Sequence, residues 1–461
     1  MELAKLIADA AGIAWHEAAL FAAVGFLLLG IGDLIVDFIW IGIAGLRRLR
    51  GRGAARACVA SLAAPATPGA IAIFVPAWDE STVIAGMLTH ATSAFAGFDH
   101  RLYVGCYPND PATIAAVRAL EAPRVRLVVG PAPGPTSKAD CLNRLWEAMR
   151  ADEAAEGRRF KAVVLHDAED VVHSAELRLF ESLIERFDLV QLPVLPLIDP
   201  KARWIGAHYA DEFAESHGKE LVVREALGAA VPSAGVGCAI SRDALDRIAA
   251  AHGAPFDPAS LTEDYELGLR LGAMGRPAAF VRLPAGPGRP GVATRGYFPA
   301  RLGAAVNQKA RWMVGIALAG WDRLGWSGGL AERWMRMRDR QSVLAALILV
   351  AAYAALLLWA GLALIELAGG AAMPPAAPGL VLLMQVNFGL LLWRLAMRFG
   401  FVARSYGWRE GLRSIPRVVI GNAIAMLAAR RALVLYFGFR RTGGAAWDKT
   451  AHVFPRELPA E

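Results

Sequence analysis

The chain has 461 residues, enough for one large or two ordinary domains, and 56% of them are hydrophobic. That share, with a mean hydropathy of +0.38, is too high for an ordinary soluble protein and requires membrane-spanning segments. The net charge of +7 comes from arginines that crowd the ends of apolar runs instead of interleaving with aromatics, which argues against a nucleic-acid partner.

Residues 1–50 read as a retained membrane anchor, because only Lys5 precedes the apolar stretch and no convincing cleavage site follows it. The span covers roughly 18–46 and contains Asp33 and Asp37, one helical turn apart on one face. A carboxylate at mid-bilayer costs about 2.5–3.5 kcal/mol, so each needs a partner, water or the headgroup region; a proton or ion pathway is the rival use. Arg47, Arg48, Arg50, Arg52 and Arg56 follow this run, and Arg333, Arg336, Arg338 and Arg340 precede the next. Both clusters mark cytoplasmic flanks.

Residues 57–329 alternate short apolar runs with helical patterns. Strands are expected over 71–76, 101–106, 125–129 and 161–166, and helices over 81–95, 111–120 and 137–150. Continuous apolar strands alternating with helices predict an α/β domain, its mainly parallel sheet covered on both faces. Cys58, Cys106, Cys141 and Cys238 show neither C-x-x-C spacing nor a nearby His pair, so buried reduced thiols are expected.

The chain then returns to the membrane over 330–441. Residues 342–365 carry no charge and are long enough to span. The connection 368–378 has no Lys or Arg, as suits the non-cytoplasmic side, and 380–393 lead back to Arg394 and Arg398, which can snorkel to the cytoplasmic face. The last apolar segment, 418–439, holds Arg430 and Arg431 in its middle, so an interfacial helix is expected there rather than another span. Residues 442–461 form a cytoplasmic tail under this count.

Ligands of open α/β sheets bind at the carboxyl ends of strands. Acids gather there: Asp79 and Glu80 in PAWDE after the first strand, Asp110 in YPND after the second, and Asp167, Glu169 and Asp170 in HDAED after the fourth. In an extended segment Asp167 and Glu169 point the same way and can converge on a hard divalent cation, whereas His166 reads as a packed or hydrogen-bonded histidine. Thr136, Ser137 and Lys138 open a helix whose N-terminal amides and lysine suit an anion; an N-cap with a surface lysine is the plainer alternative. Thr262, Glu263 and Asp264 begin another helix, where Ser260 and Glu263 have the spacing of a capping box. Gln308, Arg311 and Trp312 share a helix face just before the second membrane region. Arg311 suits an anion and Trp312 offers an apolar platform, although interfacial anchoring also explains such a pair. Gly235 and Gly237 allow close backbone approach.

The ordered set PAWDE, YPND, TSKADCLN, HDAED, TED and QKARW resembles the family 2 glycosyltransferases of processive type. The runs SLTEDYELG, PSAGVG and WDKT-x-H-x-FP are similar to a membrane branch typified by phage adsorption B proteins. The resemblance implies a GT-A-type, Rossmann-like domain at 57–329 with transmembrane and interfacial helices around it, in the bacterial inner membrane. It implies a UDP-sugar donor, a growing exopolysaccharide or lipid-linked glycan acceptor, Mg²⁺ or Mn²⁺, and an outer-membrane export partner. Residue by residue, it places Asp264 as general base with Glu263, Gln308, Arg311 and Trp312 beside it. It puts Pro76, Trp78, Glu80, Asp110, Lys138, Asp140 and Asp167 on the donor nucleotide, Gly235, Gly237 and Trp312 on the acceptor, and Asp167 and Glu169 on the metal. Asp79 departs from the Asn usual in the first motif, and Glu169 from the usual Asp. Some relatives carry a cyclic di-GMP-sensing C-terminal domain that is not seen in these residues. A single-step lipid-carrier transferase and a non-catalytic envelope scaffold are the alternative functions.

Overall fold

A computed structural model of the chain describes residues 2–51, 57–370, 372–373, 375–442, 452–455 and 457–458. Arg52, Arg56 and Trp447 to Thr450 lie outside the described residues, as does most of the expected tail.

Seven strands form one sheet: β1 (Ile71–Pro76), β2 (His100–Cys106), β3 (Val125–Val129), β4 (Ala162–Leu165), β5 (Leu189–Gln191), β6 (Cys238–Ser241) and β7 (Ala278–Phe280). Their order is β3-β2-β1-β4-β6-β5-β7. Strands β1 to β4 run parallel, as does the β5–β7 pair, while β6 is antiparallel to both β4 and β5. The first four strands lie where the apolar runs place them; the last three are too short to show a period.

Alternation along β1 explains the two-faced core. Ile71, Ile73 and Val75 pack on one face with Met87 and Leu88 of the Ile84–Ala94 helix. Ala72 and Phe74 pack on the other with Leu142, Leu145 and Trp146 of the Lys138–Glu156 helix. Successive strand residues must face opposite ways, so a run apolar at every position needs helices on both sides. The chain leaves β1 toward β2 and β3 and later returns to the opposite flank as β4, which makes the β1–β4 boundary the switch point of the sheet. Residues following β1 and β4 therefore face each other across a crevice. The four cysteines are free and buried.

Among the described residues, four helices are long and apolar enough to cross a membrane: Leu6–Arg50, Ser342–Leu367, Pro378–Tyr406 and Trp408–Gly438. The last includes the segment expected at the interface; Arg430 and Arg431 are both exposed on it. Asp33 and Asp37 have partners. Asp33 meets Arg338 at 2.8 Å and Arg394 at 2.7 Å. Asp37, fully buried, meets Lys219 Nζ at 2.5 Å and accepts the indole N–H of Trp393 at 2.8 Å. Lys219 also holds Glu215 at 2.7 Å, and Glu215 lies 3.3 Å from Arg398. Each acid thus faces a base on a neighbouring element, which supplies the partner a buried carboxylate needs.

Candidate active site

At the start of the Lys138–Glu156 helix, Ser137 Oγ accepts the Asp140 N–H at 3.2 Å and caps the first turn. The next residue, Lys138, is no surface lysine: its Nζ lies 2.5 Å from Asp167 Oδ1. Burial opposes its charge, but Asp167, Glu263 and Asp264 raise its pKa well above the ordinary lysine value.

The acid turn after β4 is cross-linked by hydrogen bonds. Asp170 Oδ2 accepts the Asp167 N–H at 2.9 Å, and His166 Nδ1 lies 3.0 Å from the same oxygen. On its other side His166 Nε2 meets Glu176 Oε1 at 2.5 Å. Both ring nitrogens thus face carboxyl groups, an arrangement that favours the imidazolium form of His166 inside the core. Burial works against that charge, but Glu176 and Asp170 hold its pKa up at about 10.

Glu169 emerges from this turn, and Glu80, following β1, meets it across the switch point. His452 joins them from the far end of the chain: its Nδ1 donates to Glu80 Oε1 at 2.8 Å and lies 3.2 Å from Glu169 Oε2. One ligand atom from each of Glu80, Glu169 and His452 lies within 4.8 Å of the others. Glu169 Oε2 is buried and accepts no hydrogen bond. Burial, with Asp167, Asp170 and Glu80 nearby, pushes Glu169 up to about 8, although His452 opposes this. A buried carboxylate oxygen that accepts no hydrogen bond, beside a second carboxylate and an imidazole, fits a divalent cation. Asp167, the other acid expected to ligate, lies 2.5 Å through its Oδ1 from Lys138 Nζ.

The Glu263–Ala273 helix supplies the opposite wall. Its N-cap is Thr262, without a side-chain cap bond. The capping box expected from Ser260 and Glu263 does not form, because Ser260 lies two residues ahead of the cap and donates to Glu266 at 2.6 Å. Glu263 and Asp264 therefore occupy the first turn and line the cleft. Asp264 Oδ1 accepts the Tyr265 N–H at 2.8 Å. Its Oδ2 lies against Gly235, where an added Cβ would sit 2.3 Å away, and Gly235 has φ +74°. Both facts demand glycine. Gly235→Ala should displace the Asp264 carboxylate and lower turnover about 100-fold with donor affinity retained; steady-state kinetics beside nucleotide titration measure it.

The Leu302–Trp312 helix brings Gln308, Arg311 and Trp312 to the same cleft and runs directly into a π-helical turn, Met313–Leu318. Trp312 stands among Tyr209, Phe213 and Phe298, with ring centroids at 5.9, 6.3 and 6.5 Å. Gln308 Oε1 is buried without a hydrogen bond.

The cleft thus gathers Lys138, Asp167, Glu169, Glu263, Asp264, Gln308, Arg311 and Trp312. Other expected residues lie beside it. Pro76 is buried at the end of β1, paired with Gly105. Asp110 caps the next helix through the Thr113 N–H at 3.2 Å and accepts the Asp79 N–H at 2.6 Å, fixing Asp79 at φ +54°. Asp140 pairs with Arg144 at 2.7 Å. Trp78 packs edge-on against Tyr107 at 5.3 Å. Gly237 makes room for Thr294, whose Oγ1 an added Cβ would strike at 2.1 Å. Sequence reasoning missed His452, the His166 clamp and the aromatics Phe213, Tyr297 and Phe298; only the tail run WDKT-x-H-x-FP hinted at the first.

The profile described as "Glycosyltransferase like family 2" matches residues 68–315. Bacteriophage adsorption protein B of Escherichia coli (strain K12) is 39% identical over 414 residues, covering 84% of this chain and 55% of that protein. Bacteriophage N4 adsorption protein B of Escherichia coli O157:H7 gives the same identity and coverage, 39% over 414 residues, 84% and 55%. The chain thus spans about half the length of the curated relatives it matches. A mannosyltransferase from Pyrobaculum calidifontis, solved with GDP-Man and Mn²⁺, shares the fold at TM-score 0.51 and 16% identity, over 92% of this chain and 98% of that one.

Proposed function

The chain belongs to the glycosyltransferase-like family 2, and from that premise we propose that it is a metal-dependent, inverting transferase working at the cytoplasmic face of a bacterial inner membrane. Its donor is a nucleoside diphosphate sugar, with UDP as the carrier. Its acceptor is a growing exopolysaccharide or a lipid-linked glycan, delivered to an outer-membrane partner. The observation that carries this reading is one cleft holding a candidate base, Asp264, two cations, Lys138 and Arg311, and a buried Glu169 carboxylate oxygen that accepts no hydrogen bond.

Glu169, with Glu80 and His452 and with Asp167 beside them, would hold the divalent ion. Such an ion, when bound, offsets the charge that develops on the departing diphosphate. Lys138 and Arg311 supply fixed positive charge to the same group. Asp264 takes the proton of the acceptor hydroxyl as the sugar is displaced in one step, which inverts the anomeric centre. Trp312 and its aromatic neighbours bear on the acceptor ring, and Gly235 brings the backbone close to it.

In this reading residues 1–50 anchor the domain at 57–329, the helices Ser342–Leu367 and Pro378–Tyr406 cross the membrane, and the Trp408–Thr442 helix lies at the interface. Supporting that placement, Ile420 and Ile424 pack with Tyr209 and Trp312, and Arg417 is bound to Asp211 of the catalytic domain at 2.8 Å.

The base also sets a pH dependence. Burial and Asp264 push Glu263 up to about 7, and burial raises Asp264 although Lys138 opposes it. The base must be ionised, so kcat/KM should begin to fall with decreasing pH above the ordinary carboxylate range near 4. An acid limb near 4 in the pH–rate profile would count against the assignment. The function itself is tested by ion-dependent incorporation of labelled sugar into membrane glycan or lipid. A product bearing one added sugar would identify a single-step lipid-carrier enzyme, and no incorporation from any donor would overturn the reading.

A further inference from the structure

Two arms hold the Asp264 carboxylate, and both end on one side chain outside the cleft. The first arm is the residue that follows the base. Tyr265 gives its N–H to Asp264 Oδ1 at 2.8 Å and its hydroxyl to Asp339 Oδ2 at 2.7 Å. The second arm is the loop that carries Gly235, which lies against Asp264 Oδ2. Toward the start of that loop, the Ala230 carbonyl accepts the Nε–H of Arg224 at 2.6 Å. Arg224 in turn reaches both Asp339 oxygens from Nη1, at 2.9 and 2.8 Å, and is only 4% exposed. Ala230 also gives its N–H to Glu332 at 2.8 Å. Between these ties the loop and the Glu263–Ala273 helix are pressed together: a Cβ added at Gly268 would sit 2.5 Å from the Val231 carbonyl oxygen. Tyr265, Arg224 and Asp339 all stand outside the cleft lining.

Asp339 and Glu332 belong to the Leu330–Arg340 helix. Only Gln341 separates that helix from Ser342–Leu367, which is long and apolar enough to cross a membrane. We propose that Asp339 is a positioning residue for transfer, setting the place of the Asp264 carboxylate through Tyr265 and Arg224 from the foot of a candidate membrane span. This rests on Asp264 being the base and adds the residues that aim it. A buried arginine shared by a carboxylate and a carbonyl resists any shift of one partner alone, because that shift strands a charge-assisted hydrogen bond. Movement of the Leu330–Arg340 helix therefore reaches the base by both arms. A base works only within hydrogen-bond reach of the acceptor hydroxyl, and a misplacement of about 1 Å costs up to about 100-fold in rate.

The test uses the full chain in nanodiscs. Tyr265→Phe removes one hydroxyl and leaves the Arg224–Asp339 pair whole, so the fold is kept, while Asp339→Asn weakens both arms at once. The expected fall in kcat is about 10-fold for Tyr265→Phe and about 10- to 100-fold for Asp339→Asn, with UDP affinity unchanged in each. Neither change should slow the residual transfer of Asp264→Asn any further, since no base is left to aim. Amide hydrogen exchange over residues 262–267 should quicken in Asp339→Asn, while β1 keeps its protection. Unchanged kcat in both variants, or unchanged exchange in Asp339→Asn, overturns the proposal. So does a loss that recurs undiminished in Asp264→Asn, or one matched by lost UDP affinity, because packing alone gives that pattern. Quickened exchange combined with full transfer by Asp264→Asn would instead sink the base assignment. Quickened exchange with no transfer from any donor by the unaltered chain would sink the transferase reading.

Discussion

Asp264→Asn should lower transfer by about 10²–10⁴-fold and leave donor binding intact. Asparagine keeps the shape of the side chain and an oxygen that can accept the Tyr265 N–H, now bound at 2.8 Å, so the first turn of its helix persists. It keeps the fit over Gly235 as well, since only the atom now occupied by Oδ2 changes identity. What it loses is the ability to take a proton. The expected result is a fall in kcat with nucleotide affinity unchanged, the signature of an interaction made only as the reaction proceeds. Calorimetric titration with UDP beside initial-rate measurements separates the two quantities. Equal loss of both would place Asp264 in donor binding instead of proton transfer.

The second large effect concerns stability. Asp37→Ala should destabilise the protein by about 3–5 kcal/mol, because it leaves Lys219 buried with one of its two acids gone. It also leaves the Trp393 indole N–H without its acceptor. Thermal unfolding in nanodiscs measures the loss. Replacing both partners, Asp37→Leu with Lys219→Met, should recover part of it, since an apolar pair costs less than an uncompensated charge. A proton-pathway role predicts the opposite pattern: near-normal stability in the single variant and lost activity in both.

How much of this was legible depended on sequence distance. β1 and the helix faces covering it could be read because six consecutive apolar residues force burial on both sides. β5 and β7 have three residues each and β6 four, too few for any period, and β6 is antiparallel against expectation for an alternating strand–helix chain. The acids at strand ends were legible because the fold places ligands there. Their partners were not: Lys138 was visible as a helix-start cation, but its ion pair with Asp167 depends on how the first helix turn faces β4. Asp33 and Asp37 announced a need for partners, and nothing local could name Arg338, Arg394 or Lys219. His452 is the extreme case, since its contact with Glu80 exists only after the chain has passed through three further long apolar helices and returned.

The most direct test of the account is nucleoside diphosphate release by the purified protein across a panel of nucleotide sugars, with Mn²⁺, with Mg²⁺ and with chelator. Ion-dependent release from one donor, abolished in Asp264→Asn, is the predicted result. No release from any donor, together with no nucleotide binding, would contradict the transferase account and leave the protein as a membrane scaffold with a glycosyltransferase fold.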